Sequence, residues 1–121
     1  MCGIAGEIRF DDATADVAAV ARMTDALTPR GPDDCGVWSS GPVALGHRRL
    51  AIIDPSPLAK QPMTDSMLGL TIVFNGCIYN YRQLRTELRG AGHHFFSDGD
   101  TEVLVKAYKE WGERFVERLH G

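Results

Sequence analysis

Apolar and polar positions along the chain repeat with two different periods, and the switches between them mark its elements. Residues 2–9, Cys-Gly-Ile-Ala-Gly-Glu-Ile-Arg, read as a strand whose small residues permit close packing. From Val17 the period lengthens. Val17, Val20, Ala21, Thr24 and Leu27 recur at helical spacing, which predicts a helix over 17–27 with Asp16 as cap and Pro29 as stop. Residues 28–36, Thr-Pro-Arg-Gly-Pro-Asp-Asp-Cys-Gly, are rich in turn formers and read as a loop. Strands are expected near 36–39 and over 43–53, separated by Ser40-Gly41-Pro42. Residues 54–66 hold three prolines and read as an irregular surface loop. Leu70 to Phe74 is a short buried-type strand ending at Asn75-Gly76, and a helix over 80–90 is broken by Gly90 and Gly92. His94 to Ser97 reads as a short strand, Asp100 as the cap of a helix over 101–111, and 115–119 as a further helical turn. Strands and helices do not alternate strictly, which favours an α+β fold over a doubly wound sheet. The strands that would complete a sheet under the last helix are expected beyond residue 121, so the chain reads as a piece of a longer protein.

Composition narrows the class. A length of 121 residues fits one domain. Thirteen Lys and Arg against 16 Asp and Glu give a net charge of −3, which argues against a nucleic-acid partner held by a basic face. The hydrophobic fraction of 44% and charged fraction of 24% are ordinary for a globular chain and exclude a disordered one. No apolar run approaches the roughly 20 residues of a membrane helix, and no secretory signal pattern opens the chain. The three cysteines, Cys2, Cys35 and Cys77, form no C-x-x-C pair, so a structural zinc site is not expected. Free thiols in a reducing cytoplasm are the simplest reading, with Cys35 as a core-filling residue.

Four short stretches carry candidate chemistry. Loss of Met1 would make Cys2 the first residue, joining a thiol nucleophile to a free α-amine. Such an amine has a reference pKa of about 7.7–8.0 and can act as the base. Asn75-Gly76 at a strand end is either a tight turn or an oxyanion hole built from a side-chain amide and a backbone N–H. Alternation along the predicted strand puts Arg48 and Arg49 on opposite faces, so one can point inward. Its partner is then either a substrate carboxylate or a structural acid such as Asp54 or Asp33. In Gly99-Asp100-Thr101-Glu102 the acids either serve the helix start or accept from a substrate ammonium. A thiol, an amine base, oxyanion donors, a cation and an anion together suit an amino acid with an electrophilic side-chain carbonyl, and glutamine is the natural candidate.

The chain resembles the N-terminal glutaminase domain of class II glutamine amidotransferases, of the glutamine-hydrolysing asparagine synthetase type. The matching stretches are Met1-Cys2-Gly3-Ile4-Ala5-Gly6, Arg30-Gly31-Pro32-Asp33, Gly46 to Asp54, Gln61-Pro62-Met63, Val73-Phe74-Asn75-Gly76 with Ile78-Tyr79-Asn80-Tyr81, and Gly99 to Val103. The resemblance implies a four-layer αββα sandwich of the N-terminal-nucleophile hydrolase type, here carried by its N-terminal part over 1–121. It implies Cys2 as nucleophile, Asn75 and Gly76 as oxyanion hole, Arg49 on the substrate carboxylate and Asp100 on its ammonium, with backbone help from Ile52 and Ile53. Glutamate and ammonia would form through a Cys2 thioester. The implied partner is a C-terminal synthetase domain, absent from these residues, and ATP and magnesium are expected only there. No cofactor or metal is expected in the residues at hand. A truncated sandwich would expose sheet edges and invite association, a homodimer included.

Cys77 departs from the family pattern, which carries Glu after Asn-Gly. Its loss removes a carboxylate near the substrate ammonium and leaves Asp100 to act alone. The same change resembles a subgroup that amidates a capped glutamine dipeptide, so that acceptor is an alternative to aspartate. Two further alternatives are a non-catalytic glutamine-binding or partner module, and an amidotransferase of amino-sugar or purine type. Gln61-Pro62-Met63 and Ile78 to Tyr81 argue against the last. His93-His94 reads as a solvated pair, His47 as structural, Trp38 and Trp111 as core or sheet-face aromatics, and Glu110, Glu113 and Glu117 as a solvated helix face.

Overall fold

A computed structural model describes residues 1–121, and the fold is α+β with two sheets and three α-helices. The chain divides into two compact units. The first comprises Met1–Ile52 with Lys60–Pro62 and Val73–Asn75. The second comprises Ile53–Ala59, Met63–Ile72 and Gly76–Gly121.

In the first unit, β1 (Gly3–Ile8), β2 (Asp34–Ser40) and β3 (Val43–Arg49) form an antiparallel sheet of order β1-β3-β2. Gly3 pairs with Arg48, and Asp34 with Arg49. Helix α1 (Val17–Ala26) starts as expected, with the Asp16 side chain accepting from Ala19 N at 2.9 Å. The helix lies on β3 where Gly46 leaves room, since any Cβ there would overlap the Thr24 hydroxyl. Ala15, Val20 and Ala44 form the buried cluster beneath it. On the opposite face Ile4 and Ile8 stay 49% and 57% exposed.

In the second unit, β4 (Met63–Asp65) and β5 (Leu70–Ile72) form a hairpin. Helices α2 (Tyr81–Gly90) and α3 (Asp100–Trp111) pack together, and Leu84 and Leu88 of α2 and Val103, Leu104 and Ala107 of α3 are all buried. A 3-10 helix over Gly112–Arg118 follows α3. None of these helices is long and apolar enough to cross a membrane.

Several expectations are corrected. β3 ends at Arg49, not 53, because Ala51 N turns to the Asp33 carboxylate (2.8 Å) and Asp54 adopts a positive φ of 50°. The proline-rich stretch 54–66 contains a 3-10 turn at Pro57–Ala59 and the strand β4, which begins directly after Pro62, so no proline has to donate within it. β5 stops at Ile72, because Phe74 N bonds the Gln61 side chain (2.6 Å) instead of a ladder partner. Residues 94–97 are not a strand, since the amides of Phe96 and Ser97 are taken by the Glu102 carboxylate. Asp100 is the first residue of α3, and its cap is Gly99, which makes no side-chain cap bond. The last helical turn runs over 112–118 rather than 115–119. Cys35 is exposed, not core-filling, because it lies on the edge strand β2. His93 is paired rather than solvated, with its Nε2 2.8 Å from Glu110.

Candidate functional site

The first unit carries Cys2, Arg49, Ile52 and Asn75. Cys2 immediately precedes β1 and sits beside the exit of β3, where Leu50 N donates to its Sγ at 3.3 Å. The same Sγ lies 3.7 Å from Leu50 O, to which the thiol donates, so both polar groups of Leu50 hold the sulfur in place. Met1 is 73% exposed and lies clear of the sheet. Arg49 is buried while Arg48 is only half-buried, as strand alternation requires. Ile52 is exposed.

The segment Arg30 to Asp33 braces both of these residues. Arg30 Nε donates to Cys2 O at 3.1 Å. Asp33 N donates to Arg49 O at 3.0 Å, and the Asp33 carboxylate holds Ala51 N. Gly31 makes the approach possible, because a Cβ on it would fall 2.6 Å from Arg49 N. Asp33 therefore serves the backbone around Arg49.

Asn75 is half-buried, and neither it nor Gly76 has a positive φ, so the tight-turn reading of Asn-Gly fails. The preceding Phe74 is fixed on both sides. Its N–H donates to Gln61 Oε1 at 2.6 Å, and its carbonyl accepts from His47 Nε2 at 3.1 Å. A carbonyl can only accept, so His47 carries its proton on Nε2, and its buried Nδ1 has no partner. Burial pushes this imidazole below its ordinary pKa, and the Arg49 charge adds to the effect. His47 is structural, as expected, and what it fixes is the approach to Asn75.

The second unit carries Ile53, Gly76, Cys77 and Asp100. Ile53 is half-buried, and Gly76 and Cys77 are exposed. Asp100 is buried, and its Oδ2 accepts from Ile78 N at 3.0 Å, which ties the start of α3 to the loop after Gly76. Further along that loop, Tyr79 N donates to His120 O at 2.6 Å and Asn80 Nδ2 to Arg118 O at 2.9 Å.

Sequence reasoning missed the residues around Asp100. Asp54, Arg85 and Glu102 bond the backbone of residues 96–99. Lys106 pairs with Asp65 and lies 3.7 Å from Glu102. Burial alone would raise the Asp65 carboxyl, but the Lys106 hydrogen bond and the amides of Leu68 and Met67 hold it below the usual carboxylate range. The only available signal was weak: Arg85 lies next to Leu84 on the α2 stripe that Leu84 and Leu88 define.

A family model described as a glutamine amidotransferase domain matches residues 1–121. The chain is 44% identical over 124 residues to glutamine-hydrolyzing asparagine synthetase 3 of Bacillus subtilis (strain 168), matching all of this chain and 20% of that protein. Over 122 residues it is 38% identical to the glutamine-hydrolyzing asparagine synthetase of Brassica oleracea, with the same two coverages. It is 37% identical to the nodule glutamine-hydrolyzing asparagine synthetase of Pisum sativum over 122 residues, again 20% of that protein. The chain spans about a fifth of the length of these curated relatives.

Proposed function

The chain belongs to the glutamine amidotransferase domain family, and on that premise we propose that it hydrolyses glutamine to glutamate and ammonia with Cys2 as the N-terminal nucleophile. The observation that carries the reading is the Cys2 sulfur at the head of β1 with the Leu50 N–H directed at it. Removal of Met1 would free the Cys2 α-amine to take the thiol proton. Sγ would then attack the γ-carboxamide carbon, and the oxyanion would be met by the Asn75 side-chain amide and the Gly76 N–H. Collapse would expel ammonia, carrying the proton from the amine, and leave a γ-glutamyl thioester. Water would open the thioester and restore the thiol. The buried Arg49 suits the substrate α-carboxylate, Asp100 suits its ammonium, and the backbone at Ile52 and Ile53 would complete the cradle. Cys77 would leave Asp100 as the sole anion for that ammonium.

The relatives are named glutamine-hydrolyzing asparagine synthetases, and in this reading the ammonia would pass, in the cytoplasm, to an ATP-dependent synthetase partner. ATP and magnesium belong to that partner in this reading, since the present sequence carries no Walker-type phosphate loop. The αββα sandwich is part of the same reading, supported by the uncovered face bearing Ile4 and Ile8.

Intact mass after incubation with an electrophilic glutamine analogue tests the function. The expected product lacks Met1 and carries one adduct on Cys2. Met1 removed with no adduct would overturn the assignment.

A further inference from the structure

The turn over residues 96–99 leads directly into Asp100, and charged side chains from outside the turn hold its backbone. Glu102, fully buried, accepts from Phe96 N at 3.0 Å, from Ser97 N at 2.7 Å and from Ser97 Oγ at 2.6 Å. Asp54 Oδ2 accepts from Asp98 N at 2.7 Å. Arg85, 7% exposed, donates through Nη1 to Ser97 O and through Nη2 to Gly99 O, both at 2.6 Å. Its guanidinium carbon lies 4.5 Å from the centre of the Phe95 ring. Amides of the turn meet carboxylates, and its carbonyls meet a guanidinium.

The last of these bonds matters most for Asp100. Gly99 O belongs to the peptide that joins Gly99 to Asp100, so Arg85 sets the plane from which the Asp100 side chain departs. One carboxylate oxygen of Asp100 is already committed to Ile78 N. With both the peptide plane and Oδ2 fixed, the direction of Oδ1 is fixed as well. The planar guanidinium meets the Ser97 and Gly99 carbonyls with two donors fixed in one plane, whereas an ammonium is a point charge on a flexible stem and would hold neither carbonyl in a set direction.

We infer that Arg85 is a positioning residue for Asp100, and that through it Arg85 sets the preference for substrates bearing an α-ammonium. The inference rests on the assignment of Asp100 to the substrate amine. The test compares glutamine with glutaramate, which has the same carboxamide and carboxylate and no α-amine. Both are assayed with the intact, Met1-processed protein.

Asp100→Asn is expected to collapse the preference for glutamine. If it leaves that preference unchanged, the amine assignment falls and the inference with it. Arg85→Lys is expected to raise KM for glutamine about tenfold, to keep kcat within about twofold and to leave glutaramate kinetics unchanged. A parallel loss on both substrates, or an unchanged preference where Asp100→Asn collapses it, overturns the role of Arg85 and leaves the proposed hydrolysis standing. Glu102→Gln loosens the same turn from its amide side and is the second probe, read alongside its melting temperature. It is expected to lower the same preference, and an unchanged preference in folded Glu102→Gln and Arg85→Lys overturns the inference.

Discussion

The two units hold their buried polar groups by different means. In the first, Arg49 is the one buried formal charge, and the parts around it are held largely by backbone: Asp33 N on Arg49 O, Leu50 N on Cys2 Sγ. Neutral His47 and Gln61 fix Phe74. In the second, Asp65, Arg85, Asp100, Glu102 and Lys106 are all buried. The difference follows from where each backbone finds partners. A three-stranded ladder partners the backbone around Arg49 and His47, and its register places their side chains. The turn over 96–99 has no ladder, so charged side chains supply the missing partners.

The comparison can be broken most directly at Lys106. Lys106→Met leaves Asp65 and Glu102 buried without their cation, and the expected cost is about 3–5 kcal/mol, read from the urea midpoint. A loss below about 1 kcal/mol would mean that the buried charges of the second unit are incidental to its stability. Next comes Gly31→Ala in the first unit, where the added methyl meets Arg48 O at 2.5 Å. It is expected to cost about 1–3 kcal/mol and to raise KM for glutamine by displacing Arg49. Wild-type kinetics would show that the brace is dispensable. A smaller effect is expected at the exposed Cys77. Cys77→Glu restores a second carboxylate and should lower KM for glutamine about threefold to tenfold, and unchanged kinetics would sink that account.

The smallest effect is a pH dependence confined to the first unit. Burial holds the His47 pKa below its ordinary 6.5, so the unfolded chain takes up a proton that the folded one refuses. Its contribution to stability is complete above 6.5 and is lost as pH falls below that value toward the folded pKa. His47→Gln should flatten this part of the profile, seen as a smaller drop in melting temperature between about pH 7.5 and pH 5 than in the parent. An identical drop in both proteins would assign the titration to another group.

Legibility in the sequence followed the range of the interaction. The spacing of Val17, Val20 and Thr24 and the Asp16 cap are local, and α1 was readable to within a residue. Alternation also put Arg48 and Arg49 on opposite faces, but which of the two points inward came only with the structure. The segment Arg30 to Asp33 could be read as a loop but not as a brace, since Asp33 reaches Ala51, 18 residues on. Phe95 and Phe96 suggested a strand because their apolar side chains were visible, whereas the side chains that cancel it, Glu102 and Arg85, act from two helices. Arg82, Arg85 and Arg89 are alike in α2 as sequence, and only tertiary neighbours select Arg85. Cys35 was misplaced because strand order, which makes β2 an edge, is a non-local property.

The carboxylate beneath the turn has a consequence for exchange with heavy water. The amides of Phe96 and Ser97 lie outside any helix or sheet, yet both are bonded to a fully buried acceptor. Their deuterium uptake should follow the opening of α3, because Glu102 leaves only when that helix does. An exchange map would therefore score a bend as ordered secondary structure. Raising Glu102 into solvent by any partial melting of α3 should release both amides in a single step.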